Sequence, residues 1–189
     1  SKAFLNLHNK DVKFVNQFNV LSEFNYYISL LKDKNRFLNY HSLITDLINF
    51  FYKLNDKYFA CEDKISPCHN DLVLENILLK KERIFLIDWE YSAMSDPAGD
   101  IGCFITCSTY SFDEAMDVIK EYFDGNPSVE ELRHYIAYVA VSSFYWFLWA
   151  INQEIQGKSI GEYLYIWYNH TKEYADYALK LYEQGESDE

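Results

Sequence analysis

Apolar residues recur every three or four positions near the start of this chain, which is the pattern of helices with one buried face. The pattern covers residues 19–31 and 42–54. The second stretch carries Leu43, Leu47, Phe50, Phe51 and Leu54. Residues 1–65 are therefore predicted to be helical.

Three further helix starts are marked by the pattern S-x-x-E, which begins at Ser111, Ser128 and Ser159. In such a capping box the serine hydroxyl and the glutamate carboxylate satisfy backbone N–H groups of the first turn. Gly125 and Gly157 stand where the preceding helices should end. The boxes predict helices over about 111–123, 129–155 and 160–184.

Only the stretch 68–88 has the pattern of β-strands. Two short apolar runs, 77–79 and 84–87, flank the charged turn Lys-Lys-Glu-Arg. A hairpin of this kind would return Asp88 close to Asn76. The fold class predicted is therefore mainly α with a small β-hairpin (α+β), in one domain spanning 1–189.

The polar residues around this hairpin have the form H-x-D-x-x-x-x-N, with His69, Asp71 and Asn76, followed by Asp88 at the end of a strand. Phosphoryl transfer needs a carboxylate facing the attacking hydroxyl and oxygen ligands that hold Mg²⁺ against the nucleotide phosphates. Mg²⁺ prefers hard oxygen donors and few protein ligands. The alternative is a polar loop in which Asp71 and Asn76 are turn residues.

Composition narrows the class of protein. The 189 residues are 49% hydrophobic, with 17 Tyr, 14 Phe and 4 Trp, which is typical of an ordered globular chain. The net charge of −12 argues against nucleic acid as a partner and is compatible with a cationic substrate. No apolar run reaches the roughly 18 residues of a membrane span, and no signal peptide is visible. No membrane partner and a cytoplasmic location are therefore expected.

The four cysteines are Cys61, Cys68, Cys103 and Cys107, and they form no C-x-x-C pair. Cys68 beside His69, or Cys103 with Cys107, could gather a metal ion, but these spacings match no common structural zinc site. Free thiols in a reducing compartment are the favoured interpretation.

The stretches CHNDLVLENILL and LIDWEYSAMSDPAGDIG resemble the bacterial LicA-type choline kinases, within the choline/ethanolamine kinase and aminoglycoside phosphotransferase superfamily. The resemblance continues through YWFLWA at 145–150 and GEY at 161–163, and it covers most of the chain. It implies a protein-kinase-like fold and, as cofactors, ATP and Mg²⁺.

Roles for single residues follow from the resemblance. Asp71 orients the acceptor hydroxyl, and His69 braces the catalytic loop as a neutral histidine. Asn76 and Asp88 are the metal ligands. Asp100 accepts backbone N–H groups of the loop, although its alternative role is charge compensation at a helix N-terminus.

The resemblance also implies that the nucleotide-binding lobe of the kinase lies outside this chain. The six glycines are scattered from residue 99 onward, so the chain has no Gly-rich loop, and it has no strand lysine paired with a helical glutamate. We therefore expect this chain to be the C-terminal lobe of a longer kinase whose N-terminal nucleotide lobe lies outside it. The chain alone need not turn over.

The tryptophans predict where the substrate binds. Trp146 and Trp149 are three residues apart and share a helix face, and two indole faces attract a quaternary ammonium. In the family a tryptophan pair on this helix binds choline. Tyr163 and Tyr165 are further predicted walls, Tyr168 is a weaker candidate, and Trp167 is expected to be packing. The alternative is that the whole aromatic stripe is core.

At Cys107 the chain departs from the family pattern. Eukaryotic choline kinases have a glutamate near the choline at this position. The predicted reaction is phosphorylation of choline to phosphocholine. The alternatives are a kinase for ethanolamine, thiamine or an aminoglycoside, and a non-catalytic module that only binds an amine.

Overall fold

The computed structural model describes residues 2–31, 35–54 and 65–186. Eight α-helices and four short strands lie within these ranges. The helices are α1 (Lys2–His8), α2 (Val20–Leu31), α3 (Asn35–Asn39), α4 (His41–Leu54), α5 (Pro97–Cys107), α6 (Phe112–Tyr122), α7 (Val129–Ile155) and α8 (Tyr163–Glu186). The strands are β1 (Ser66–Cys68), β2 (Ile77–Lys80), β3 (Arg83–Leu86) and β4 (Ala93–Ser95).

The predicted hairpin is confirmed as β2 and β3, which pair antiparallel from Ile77 with Leu86 to Lys80 with Arg83. A second two-stranded sheet was missed in the sequence: β1 pairs antiparallel with β4, and Gln17 forms a parallel bridge to Met94. Each of these strands has only three residues, which is too short to show alternation. The prediction of helix throughout 1–65 is likewise wrong for residues 9–19, between α1 and α2, and its residues 32–34 and 55–64 lie outside the described ranges.

Two of the three capping boxes are confirmed. Ser111 and Ser128 cap α6 and α7, each with reciprocal bonds to the glutamate three residues on. The third prediction is wrong, because α8 begins at Tyr163 and not near residue 160. Gly161 adopts φ +66°, a left-handed conformation that cannot belong to the first turn of a right-handed helix.

Helix α7 is the centre of the core and packs against α8, α5 and α2. Within the ranges given above it is the one helix long and apolar enough, by length and composition, to cross a membrane. Of its most apolar 18-residue window, 83% is buried inside the protein. Helix α5 approaches it closely at Gly102, where a β-carbon would lie 2.5 Å from the Tyr138 carbonyl oxygen. This close approach fixes the position of α5 relative to α7.

Candidate active site

The loop between β1 and β2 carries His69, Asp71 and Asn76. His69 is fully buried, and its Nε2 lies 2.8 Å from the Ile87 carbonyl oxygen. Its ring also packs on Trp89, with ring centroids 4.7 Å apart. His69 therefore ties the start of the loop to the end of β3.

Asp100, on the first turns of α5, holds the same loop from behind. Its side chain is completely buried, and it accepts the backbone N–H of His69 at 2.8 Å and of Asn70 at 2.6 Å. Asn70 has φ +62°, and its side chain donates to the Tyr91 carbonyl oxygen. The left-handed residue immediately before Asp71 is thus fixed by hydrogen bonds on both its backbone and its side chain.

Asp71 and Asn76 are joined directly. The Asn76 amide nitrogen donates to the Asp71 backbone oxygen and to its carboxylate Oδ2, both at 2.9 Å. Burial raises the pKa of Asp71, and the hydrogen bond from Asn76 partly opposes this shift. Because both bonds use the amide nitrogen, the Asn76 side-chain oxygen is the atom that could ligate a metal.

Asp88 lies two residues after the end of β3 and is exposed. The backbone N–H of its neighbour Ile87 donates to the Asn76 carbonyl oxygen at 3.0 Å, so the hairpin returns the chain to the end of the catalytic loop. Asp88 has φ +61°, a conformation that non-glycine residues adopt mainly where the surroundings impose it. A carboxylate and an amide oxygen form a donor set that fits Mg²⁺.

The aromatic residues of α7 and α8 form a cluster that we call the tryptophan cluster, consisting of Trp146, Trp149, Trp167 and Tyr163. The rings of Trp146 and Trp149 are 5.3 Å apart, and Trp167 lies 5.5 Å from Trp146 and 6.4 Å from Trp149. Tyr163 lies 5.5 Å from Trp167. Trp146 and Trp149 are half-buried, so part of each indole remains accessible to a ligand.

Trp167 differs from its neighbours because it is only 6% exposed and its indole N–H donates to the Thr106 carbonyl oxygen. It packs beneath Trp146 and Trp149, as expected. Tyr165 does not join the cluster: it is 69% exposed, and two residues of α-helix turn it to the side away from Tyr163. Tyr168 packs on Tyr40 and Phe147 instead.

A cavity of about 150 Å³ lies between the start of α2, α5 and α7. Asn70 of the catalytic loop borders it, together with Tyr145 and Trp146. Trp146 therefore contacts both the cavity and the tryptophan cluster. Tyr145 was not identified from the sequence; its ring meets Tyr27 of α2 edge-on at 5.5 Å, a contact between distant residues that periodicity does not show.

Cys68, Cys103 and Cys107 are free thiols, and Cys61 lies outside the described residues. A hydrogen bond with Cys103, together with burial, raises the pKa of the Cys107 thiol, so the thiol stays neutral. In the described part of the chain, ligand atoms of His8, Cys68 and Asp100 lie within 4.8 Å of one another. Hydrogen bonds already occupy His8 and Asp100, and the cluster needs no metal ion.

Comparison with solved structures identifies the fold as protein-kinase-like. A crystal structure of LicA in complex with AMP matches with a TM-score of 0.71 and 25% identity, covering 94% of this chain and 60% of that one. The choline kinase LicA from Streptococcus pneumoniae matches with a TM-score of 0.69 and 26% identity, covering 93% of this chain and 61% of that one.

The sequence itself matches the family model of choline/ethanolamine kinases over residues 1–139. It is 34% identical to protein LicA of Haemophilus influenzae over 163 residues, which is 83% of this chain and 60% of that protein. The chain belongs to the choline/ethanolamine kinase family. It spans less than two thirds of the length of this relative.

Proposed function

We propose that the protein containing this chain transfers the γ-phosphoryl group of ATP to the hydroxyl of choline and releases phosphocholine. One observation carries the proposal: a loop with a linked Asp71–Asn76 pair is held by α5, a half-open tryptophan cluster is formed by α7 and α8, and α5 and α8 both pack on α7. The family and the related LicA structure with AMP support a nucleotide-dependent kinase.

On this proposal Asp71 orients the hydroxyl and accepts its proton. The transition state of phosphoryl transfer is loose, so orientation and charge neutralisation contribute more than basicity. Asn76 and Asp88 would hold Mg²⁺, which neutralises charge on the nucleotide phosphates. His69 and Asp100 act on the loop backbone and do not contact the substrate.

The ammonium group would lie against the exposed faces of Trp146 and Trp149, through cation–π attraction. The net charge of −12 favours approach of a cation from solution. Cys107 adds no negative charge, because its pKa is raised and the thiol is neutral. Aromatic faces suit a quaternary ammonium better than a primary amine, which needs hydrogen-bond acceptors, and this favours choline over ethanolamine or an aminoglycoside.

A separate nucleotide lobe is part of the proposal. Leu78 and Phe85 pair across the hairpin, and each is 47% exposed; Ile87 beside them is 41% exposed. Adjacent exposed apolar side chains of this kind mark a surface that binds another group. We propose that the nucleotide base and an N-terminal lobe cover it in the longer protein.

Calorimetric titration with choline tests the proposal, with ethanolamine and an aminoglycoside as competitors. Trp146→Ala and Trp149→Ala should each weaken choline binding by about 30-fold, which corresponds to ~2 kcal/mol for a desolvated cation–π contact. Tyr52→Ala on α4, an exposed aromatic outside the tryptophan cluster, is the matched control and should bind choline normally.

The outcome separates the candidates. Choline binding that survives both tryptophan substitutions, or ethanolamine binding as tight as choline binding, would contradict the proposed substrate. If the chain binds none of the ligands, the titration is repeated on the longer protein with a non-hydrolysable nucleotide. No choline binding there would overturn the choline kinase proposal.

A further inference from the structure

Behind the catalytic loop lies a buried chain of hydrogen bonds that reaches from α6 through α1 to α5. The Tyr122 hydroxyl is 2.7 Å from His8 Nδ1, and His8 Nε2 is 3.0 Å from Asp100 Oδ2. His8 is 7% exposed, Tyr122 4%, and Asp100 not at all. The sequence interval between His8 and Asp100 is 92 residues, so this contact exists only in the folded chain.

The direction of each hydrogen bond follows from the groups present. A carboxylate only accepts, so His8 Nε2 carries a proton and donates to Asp100. Burial raises the pKa of Tyr122 to about 12, so its hydroxyl stays protonated and can donate to His8 Nδ1. The imidazole thus bridges Tyr122 and Asp100 through both of its ring nitrogens.

Asp100 connects His8 to the backbone of the catalytic loop. The oxygen that accepts from His8, Oδ2, also accepts the His69 N–H, while Oδ1 accepts the Asn70 N–H. Asn70 is left-handed, and the next residue is Asp71. Rotation of the Asp100 carboxylate would therefore release the backbone that orients Asp71 toward Asn76.

We propose that His8 is a positioning residue of the active site: it fixes the Asp100 carboxylate and, through it, the backbone that sets the Asp71 side chain. The catalytic part of this inference rests on the proposed phosphotransferase function. The structural part, that His8 orders the loop, stands on the hydrogen bonds alone.

A second histidine–carboxylate pair provides a matched control. His134 Nε2 lies 2.7 Å from Asp96 Oδ2, and both side chains are buried. The other oxygen of Asp96 caps α5 at the Ala98 N–H and does not contact the loop. The two pairs have the same chemistry and similar burial, but the carboxylate partner of His8, Asp100, also accepts the backbone N–H groups of His69 and Asn70.

The first experiment is hydrogen exchange by NMR on the 189-residue chain, for His8→Leu, His8→Gln and His134→Leu. In His8→Leu the His69 and Asn70 amides should exchange about tenfold faster relative to the amides of α7, as expected for a lost hydrogen bond to a charged group. The Asn76 side-chain amide signal should shift as its bond to Asp71 loosens. His8→Gln should restore protection, because its amide nitrogen can donate to Asp100.

The same spectra provide the control and show which results would overturn the proposal. His134→Leu should change all amides together and not the two loop amides selectively. Equal changes in His8→Leu and His134→Leu would overturn the proposal. If His8→Leu does not fold, Tyr122→Phe removes the outer donor and should still accelerate the same two amides; unchanged loop exchange in that variant overturns the proposal too.

Kinetics of the longer protein test the catalytic part. His8→Leu should lower kcat with little change in the KM for choline, His8→Gln should recover part of kcat, and His134→Leu should leave kcat unchanged. A change in KM alone would assign His8 to substrate binding and contradict positioning. Absence of choline phosphorylation in the wild-type protein would refute the proposed function, whereas the exchange result would still decide whether His8 orders the loop.

Discussion

The catalytic loop and the tryptophan cluster are held in place by different forces. In the loop, buried polar groups are joined by short directional bonds, such as those from Asp100 to two backbone N–H groups and from Asn76 to Asp71. In the cluster, four rings meet at 5.3–6.4 Å, and the contacts are largely apolar packing. Directional bonds tolerate few residue types, whereas packing tolerates many.

This difference determines how strongly each region restricts the residues that it can contain. Moving a carboxylate or amide in the loop leaves a buried donor without an acceptor, which costs about 1–3 kcal/mol. Exchanging Trp146, Trp149 or Tyr163 for another aromatic residue would mainly change shape and area, whereas exchanging Trp167 would also remove its bond to the Thr106 carbonyl oxygen. The loop geometry therefore constrains chemistry, and the cluster geometry constrains size and polarity.

The largest expected effect is on the loop. Asp71→Asn keeps the shape of the side chain but removes the carboxylate, and kcat of the proposed longer kinase should fall by about 10²- to 10⁴-fold. Choline binding, measured by calorimetry, should be nearly unchanged because the proposed site of the ammonium group is the tryptophan cluster. A loss of choline binding with the loss of turnover would show that Asp71 is structural.

The stability of the same variant is an internal control. Burial raises the pKa of Asp71, so the folded protein holds this proton more tightly than the unfolded chain does, and stability is lost as the pH rises through the folded pKa. At pH 7, Asp71→Asn should therefore be slightly more stable than wild type in urea. The gain should vanish on acidification below the pKa of the unfolded carboxyl.

The second prediction separates core from ligand-binding rings within the tryptophan cluster. Trp167 is 6% exposed, and Trp167→Ala should cost about 3–5 kcal/mol of unfolding free energy. Trp149→Ala should cost less because Trp149 is half-buried, while weakening choline binding directly. Urea unfolding of both variants checks the order. An equal loss of stability would place Trp149 in the core.

These two regions also differ in what the sequence reveals. The spacing of His69, Asp71, Asn76 and Asp88 around a hairpin predicts their proximity, because β2 and β3 are short and their turn is local. The periodicity of α7 places Trp146 and Trp149 on one face but does not show that α8 turns Tyr163 toward them and Tyr165 away. The loop amides that Asp100 binds are 30 and 31 residues distant from it in sequence, and the resemblance to a family, not the pattern, indicated this contact.

The pairing of strands β1 and β4 is another contact that the local sequence pattern does not reveal. Each has three residues, and the pairing of Ser66–Cys68 with Ala93–Ser95 depends on the loop and hairpin that lie between them in sequence. Ser159 failed as a cap for the opposite reason: the local pattern was correct, but Gly161 takes a left-handed conformation and delays α8 to Tyr163.

The third prediction concerns the scaffold that connects the two regions. Gly102→Ala would place a β-carbon 2.5 Å from the Tyr138 carbonyl oxygen and should cost about 1–3 kcal/mol as α5 moves away from α7. Gly99→Ala, three residues earlier on α5, meets only the Tyr138 ring at 3.8 Å and should be neutral or stabilising by up to about 1 kcal/mol. Equal unfolding free energies for the two variants would show that the helices separate without cost.

The smallest expected effect is at the tip of the hairpin between β2 and β3. Lys81 and Glu82 both have positive φ, 47° and 61°, in a two-residue turn where Asn-Gly is the preferred sequence. Glu82→Gly should remove the strain of one left-handed residue and stabilise the chain by roughly 0.5–1 kcal/mol, after the greater freedom of glycine in the unfolded state is subtracted.

Glu82→Ala retains a β-carbon and serves as the control for charge. If alanine stabilises as much as glycine in urea unfolding, the gain comes from the lost carboxylate and not from φ. Choline binding should be the same in both variants, because the hairpin leads to Asp88 and not to Trp146 or Trp149.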